Sequence, residues 1–266
     1  MFKSIGVCGA GNMGRAIIKG LVVAGVIAPD QIFVYNIHKA KAQKLADETG
    51  IVVVDSAQQL AEKSQALIMA VKPNIMPSSL NEIAGSIQND TVIISIAAGL
   101  TIEQLASPLP RNTKIIRAMP NTPAMVGEGM ASLTANQFVT ATEKEAAKAV
   151  FESFGKAAYV EEHLIDSVCG LSGSGPAYVY MFIEALADGA VLEGMPRTMA
   201  YQFAAQTVLG AAKMVLETGE HPGKLKDDVC SPGGTTIEAV EALEERGFRA
   251  AVSSAVIASA EKNKAL

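Results

Sequence analysis

Two stretches of this chain hold residue types at spacings that can do chemistry. The first is Gly9-Ala10-Gly11-Asn12-Met13-Gly14, between a short apolar run from Ser4 to Cys8 and a helical pattern that continues to about Val26. Glycines so placed permit a tight turn at Gly9, backbone approach to a pyrophosphate at Gly11 and close helix–strand packing at Gly14. The second is Cys230-Ser231-Pro232-Gly233-Gly234-Thr235-Thr236-Ile237-Glu238. Its Pro-Gly-Gly makes a turn, and Thr235 with Glu238 three residues on has the form of a capping box that opens a helix. Small residues running into a helix start leave N–H groups converging at the positive end of the dipole, which suits a carboxylate or phosphate. Taken alone, this stretch also reads as a well-capped turn between two helices.

An α/β pattern must position the first stretch. Apolar runs at 31–35, 51–54, 66–70, 91–96, 114–118, 130–134 and 157–160 are mostly separated by helical segments, one of them opened by the pair Thr101 and Gln104. They predict a mostly parallel, doubly covered sheet, whose ligands gather at the carboxyl ends of the strands. The segments at those ends are small, rigid or amide-bearing: Ala70-Val71-Lys72-Pro73, Ala97-Ala98-Gly99 and Met119-Pro120-Asn121-Thr122-Pro123. Lys72 can face phosphate or ribose, Ala97 and Ala98 leave room for a flat nicotinamide ring, and Asn121 can hydrogen-bond an amide.

The second strand ends in Asn36-Ile37-His38-Lys39, where an NAD-selective site carries Asp or Glu for the ribose hydroxyls. Asn36 has no charge to repel a 2′-phosphate, and His38, Lys39 and Lys41 can attract one. The expected cofactor is NADPH, with NADH left open. A helix over 142–154, ended by Gly155, and a last strand close this Rossmann-type domain, set at residues 1–162.

Residues 163–266 show no strand pattern and read as an all-helical domain. A helical region near 164–170 is broken by Ser172-Gly173-Ser174-Gly175, and Pro176 starts a helix that runs to Glu193. A second long helix spans 197–218, and two more, parted at Gly247, follow the second stretch. The long helices carry Ala, Gly and Met on more than one face, so they must be covered on most sides. A domain of about 100 residues cannot do that alone. The fold class is therefore an N-terminal α/β dinucleotide-binding domain followed by an all-α domain that forms an obligate homodimer.

Composition narrows the classes further. The 266 residues are 49% hydrophobic and 18% charged, with a net charge of −5 and no basic cluster, which argues against nucleic acid as a partner. No run approaches the ~18 apolar residues of a membrane span, and Met1-Phe2-Lys3 leads straight into the first strand, without room for a signal peptide. A cytoplasmic location is expected. Cys8, Cys169 and Cys230 are far apart and read as free thiols. His38, His163 and His221 are scattered and show no metal-ligand pattern.

With these motifs and Ser172-Gly173-Ser174-Gly175-Pro176-Ala177-Tyr178, the whole chain resembles the pyrroline-5-carboxylate reductase family. The segment from Lys224-Leu225-Lys226-Asp227-Asp228-Val229 through Ile237 is the most specific part. The resemblance implies NAD(P)H-dependent hydride transfer to the imine carbon of 1-pyrroline-5-carboxylate, giving L-proline in the last step of its biosynthesis. It implies a homodimer through the C-terminal helices, a larger ring assembly (a decamer of dimers), and site elements that come partly from the partner subunit. By position it gives Gly9, Ala10, Gly11, Asn12, Met13, Gly14, Asn36, Ala70, Val71, Lys72, Pro73, Ala97 and Ala98 to the cofactor. It gives Ser231, Gly233, Gly234, Thr235 and Thr236 to the substrate's carboxylate and ring nitrogen. Relatives often follow the Asn36 position with Arg, and here Ile37 removes that clamp on a 2′-phosphate.

Imine reduction suits these residues. The substrate nitrogen is protonated far more readily than a ketone oxygen, so a strong general acid is dispensable, and positioning and electrostatics supply most of the catalysis. Thr236 is the candidate nearest the imine nitrogen, with Thr235 as the helix cap. A β-hydroxyacid dehydrogenase shares the two-domain plan but needs a Lys where this chain has Val179. A reductase for a related cyclic imino acid, and a non-catalytic accessory paralogue of the same fold, stand as the alternatives.

Overall fold

Short strands form where apolar side chains fall on both faces. In the computed structural model, which describes residues 1–265, these are β1 (Ile5–Cys8), β2 (Ile32–Tyr35), β3 (Val52–Val53), β4 (Ala66–Met69), β5 (Val92–Ser95), β6 (Lys114–Met119), β7 (Gly129–Ala135) and β8 (Gly155–Tyr159). They form one sheet in the order β3-β2-β1-β4-β5-β6-β7-β8. Only β6 and β7 pair antiparallel; every other neighbouring pair is parallel. The expected eight runs are all strands, and the order reverses beside β1, the switch point at which such sheets bind dinucleotides.

Helices cover both faces. Alternation along the strands sends Ile5, Ile68 and Ile94 to one side, where Ile17 of α1 (Asn12–Val23), Leu45 of α2 (Lys39–Thr49) and Phe151 complete a core. Leu67, Ile93 and Ile115 go to the other side, against Leu60 of α3 (Ala57–Lys63), Leu80 of α4 (Met76–Ile83) and Leu105 of α5 (Ile102–Ala106). Phe151 belongs to α6 (Ala141–Glu152). Thr101 and Gln104 form the expected capping box on α5. Two expected ends shift. The first helix stops at Val23, because Gly25 turns the chain at φ +61°, and Gly155 opens β8 instead of capping α6.

The expected break near residue 172 is no break. A short α7 (Ile165–Val168) widens into π-helical turns over Cys169–Gly173, closed by Ser174 N–H donating to the Cys169 carbonyl at 2.9 Å. The small residues Gly170, Ser172, Gly173 and Ser174 admit that wide turn, and α8 (Gly175–Leu192) follows.

The chain forms two compact units. One comprises Met1–Ser174 with the last turns from Ala258, and the other Gly175–Ile257. The sequence expectation set the domain boundary at 162/163. In the second unit α8 and α9 (Arg197–Thr218) are joined by a turn at Gly194, which has φ +93°. They bury only Ala187, Ala200 and Ala204, with Ile183 and Val191 beside them. The unit continues through α10 (Pro222–Val229), α11 (Thr235–Glu245) and the first half of α12 (Phe248–Lys264). α10 has no counterpart in the sequence reading; Pro222 begins the helix, and the His221 ring nitrogen accepts from Gly223 N–H. Among the described residues no helix is long and apolar enough to cross a membrane, and no group of His, Cys, Asp and Glu could hold a metal.

Candidate active site

Because β1, β2, β4, β5 and β6 run parallel, all the expected cofactor segments of the first unit leave one edge of the sheet. They are stitched together. Gly9 N–H donates to the Tyr35 carbonyl at 2.8 Å and Ala70 N–H to the Cys8 carbonyl at 2.8 Å. Ala10 N–H donates to Asn36 Oδ1 at 3.0 Å, and Asn36 Nδ2 donates to the His38 carbonyl at 3.0 Å. Asn36 thus shapes the glycine turn while keeping the end of β2 free of negative charge.

The three glycines separate by cause. Gly9 has φ +111°, and a Cβ there would lie 2.5 Å from the Ala70 carbonyl oxygen; a Cβ on Gly14 would overlap the Gly9 carbonyl. Both are demanded by the fold. Gly11 is not: its φ of −73° and ψ of −175° suit any residue, and among the described residues no heavy atom lies within 4 Å of where its Cβ would be. That open volume faces the start of α1, which no described side chain caps. Free N–H groups behind an open space fit a dinucleotide pyrophosphate. Gly11→Ala is therefore expected to leave the melting temperature within about 2 °C of the parent while weakening NADPH binding about tenfold. Calorimetric titration beside a thermal melt checks both.

Other expected cofactor residues are placed unevenly. Ala97 is buried, with its N–H donated to Ser95 Oγ at 3.3 Å, and Ala98 is half-buried. Lys72 is exposed at the end of β4. Lys39 is engaged by Asp55, Nζ to Oδ1 at 2.6 Å, and that hydrogen bond holds the Asp55 carboxyl below its usual range. Asp55 was missed by sequence reasoning, although an acid just past the third strand is a visible signal. Asn121 is buried: its Oδ1 accepts Met130 N–H at 2.8 Å and its Nδ2 donates to the Ser172 carbonyl at 3.0 Å. One lone pair and one hydrogen remain to it, so its first task is to brace β7 against residue 172. Burial pushes the Cys8 thiol up to about 12, with Glu82 adding to the shift, and burial raises Cys169 as well. These thiols are poor nucleophiles.

In the second unit Ser231, Gly233, Gly234, Thr235 and Thr236 form one turn and helix start. The expected capping box is absent. The N-cap of α11 is Gly234, so Thr235 is the first helical residue and Glu238 sits one position too far on to reach back. The cause is the turn: Gly233 takes φ +65° and Gly234 N–H closes onto the Ser231 carbonyl at 3.0 Å. A Cβ on Gly234 would overlap Ser231 Oγ, so the glycine lets that hydroxyl pack against the turn. No described side chain caps the α11 N-terminus. The first N–H groups of the helix therefore stay available, beside the half-buried Thr236.

Fold and site together define a two-domain, dinucleotide-dependent oxidoreductase. Residues 162–266 match the family model for pyrroline-5-carboxylate reductase dimerisation, and residues 4–99 match one described as NADP oxidoreductase coenzyme F420-dependent. A pyrroline-5-carboxylate reductase of Escherichia coli (strain K12) is 54% identical over 266 residues, covering 100% of this chain and 99% of the relative. The solved reductase of Coxiella burnetii superposes with a TM-score of 0.94 at 34% identity, covering 98% of this chain and 97% of that one. That of Plasmodium falciparum, solved with NADP bound, gives 0.88 at 35% identity, covering 98% and 97%. The chain belongs to the pyrroline-5-carboxylate reductase family.

Proposed function

We propose that this chain reduces 1-pyrroline-5-carboxylate to L-proline with NADPH, using the start of α11 as the substrate cradle. The observation that carries the reading is that this helix start is uncapped and bears hydroxyls, with no His, Lys or carboxylate between Cys230 and Glu238. Backbone donors at Gly233 and Thr235, with Ser231 and with Gly234 holding the turn between them, suit the substrate carboxylate. The Thr236 hydroxyl holds the ring N–H, and a protonated imine needs no further acid. When bound, the dihydronicotinamide supplies the hydride. The residues Gly9, Ala10, Gly11, Asn12, Met13, Gly14, Asn36, Ala70, Val71, Lys72, Pro73, Ala97 and Ala98 hold and orient it, and Asn121 braces the far wall.

In this reading residues 1–162 are the cofactor domain and 163–266 the dimerisation and substrate domain, with part of each site supplied by the partner subunit. Dimers form through the C-terminal helices and associate further, as a decamer of dimers, in the cytoplasm. Steady-state oxidation of NADPH and of NADH with pyrroline-5-carboxylate, alongside its six-membered homologue, tests activity, cofactor and ring size together. Absence of turnover with the five-membered imine rejects the reading.

Cofactor choice has its own test. Asn36→Asp keeps an oxygen to accept Ala10 N–H but sets a negative charge where a 2′-phosphate would lie. The KM for NADPH is expected to rise about tenfold or more, with that for NADH changed less than about threefold. Equal effects on both cofactors would count against a 2′-phosphate beside Asn36.

A further inference from the structure

We infer that Glu162 and Arg117 are positioning residues that set the loop at 97–101, and this rests on the reading that Ala97 and Ala98 border the nicotinamide. The loop is held at both ends by one rung of the sheet. At its start Ser95 Oγ accepts Ala97 N–H at 3.3 Å. At its end Ile102 N–H donates to Glu162 Oε1 at 2.7 Å, a contact spanning sixty residues of sequence. The same oxygen receives Arg117 Nη1 at 3.2 Å, and Arg117 pairs with Ser95 in the β5–β6 register.

Arg117 is 5% exposed, and among the described residues its Nε has no hydrogen-bond partner. Glu162 is the carboxylate within ion-pair distance of it, and that side chain is 37% exposed, so water can reach the pair from the Glu162 side. Truncating Glu162 removes the acceptor shared by Arg117 Nη1 and Ile102 N–H, and the structure must shift to replace it. Here the shift falls on Ile102 and so on the loop. Thr101 and Gln104 already cap α5 from within, so Glu162 is not needed to start the helix. Its task is to fix where that helix start sits relative to β6.

The test uses the full-length protein and NADPH binding by fluorescence titration at 10 °C, with melting curves to show that each variant is folded. Glu162→Ala is expected to raise the Kd for NADPH about five- to tenfold, leaving the KM for pyrroline-5-carboxylate within about twofold. Glu162→Gln keeps an acceptor for both N–H groups and is expected to bind within about twofold of the parent. The double variant Arg117→Met, Glu162→Met removes both charges together, which preserves folding, and should show the same loss as Glu162→Ala. Unchanged binding in the folded Ala variant or in the double variant overturns the inference, and so does an equal loss in the Gln and Ala variants. Ala98→Leu, which fills the space assigned to the ring, separates the two readings. If it binds NADPH like the parent, the loop does not border the nicotinamide and the inference falls with that reading; if it binds poorly while Glu162→Ala binds normally, the inference alone fails.

Discussion

A chain carrying Leu209→Asp and Leu216→Asp is expected to sediment as a monomer and to lose at least about a hundredfold in kcat/KM. The two residues lie seven apart on α9, hence on one face, and are 55% and 82% exposed in the single chain. Met199, Phe203 and Met214 form a second exposed stripe, at 46%, 61% and 50%, roughly a third of a turn away. Between them α9 buries only Ala200 and Ala204. A helix apolar on several faces that leaves them to water is incomplete by itself, and residues 162–266 match a dimerisation model. Burying each such leucine contributes about 1.5–3 kcal/mol. Each carboxylate forced into that contact costs several kcal/mol instead. Activity should fall with the dimer, because the same unit carries the turn at Ser231 and Thr236. Sedimentation velocity at micromolar concentration decides; a variant that stays dimeric would show that the contact lies elsewhere.

The sheet was legible because parallel strands buried on both faces read as uninterrupted apolar runs, and β1, β4 and β6 run directly into Gly9, Ala70 and Pro120. α9 was legible, since Pro196 and Gly219 bracket it. The errors have local causes. Pro222 has the same signature whether it ends one helix or begins the next, because the N–H it lacks is unneeded at a first helical position. The start of α11 has Gly234, Thr235 and Thr236 in tandem, so the spacing from Thr235 to Glu238 matched a capping box, while the Ser231–Gly234 turn set the register one residue earlier. The wide turns at Cys169–Gly173 have no sequence period of their own. Asp55 against Lys39, Asn121 between Met130 and Ser172, and Glu162 against Ile102 all depend on which loops the sheet order brings together. Residue type marked the sheet edge; only topology showed which of its side chains are already spoken for.

Thr236→Val is expected to lower kcat by ten- to a hundredfold, about 1.4–2.7 kcal/mol of transition-state stabilisation. Valine matches threonine in shape and branching. It replaces a half-buried hydroxyl at the second residue of α11, where the helix cap is the backbone of Gly234 and not this side chain. The substitution should therefore change stability by less than about 0.5 kcal/mol, and a thermal melt verifies that the loss is chemical. As the ring nitrogen passes from planar cation to amine, its N–H and lone pair need a partner that can accept and donate, which a hydroxyl does and a methyl does not. Thr236→Ser keeps that group with a freer rotamer and should retain all but about threefold of the parent kcat. Thr235→Val, one position earlier and more exposed, should fall on the KM for the imino acid more than on kcat, because it borders the carboxylate donors. Had Thr235 been the cap, its loss would cost about 1 kcal/mol of stability; with Gly234 as the cap no such loss is expected. If Thr236→Val turns over like the parent, the hydroxyl is not at the nitrogen and water alone must fill that role.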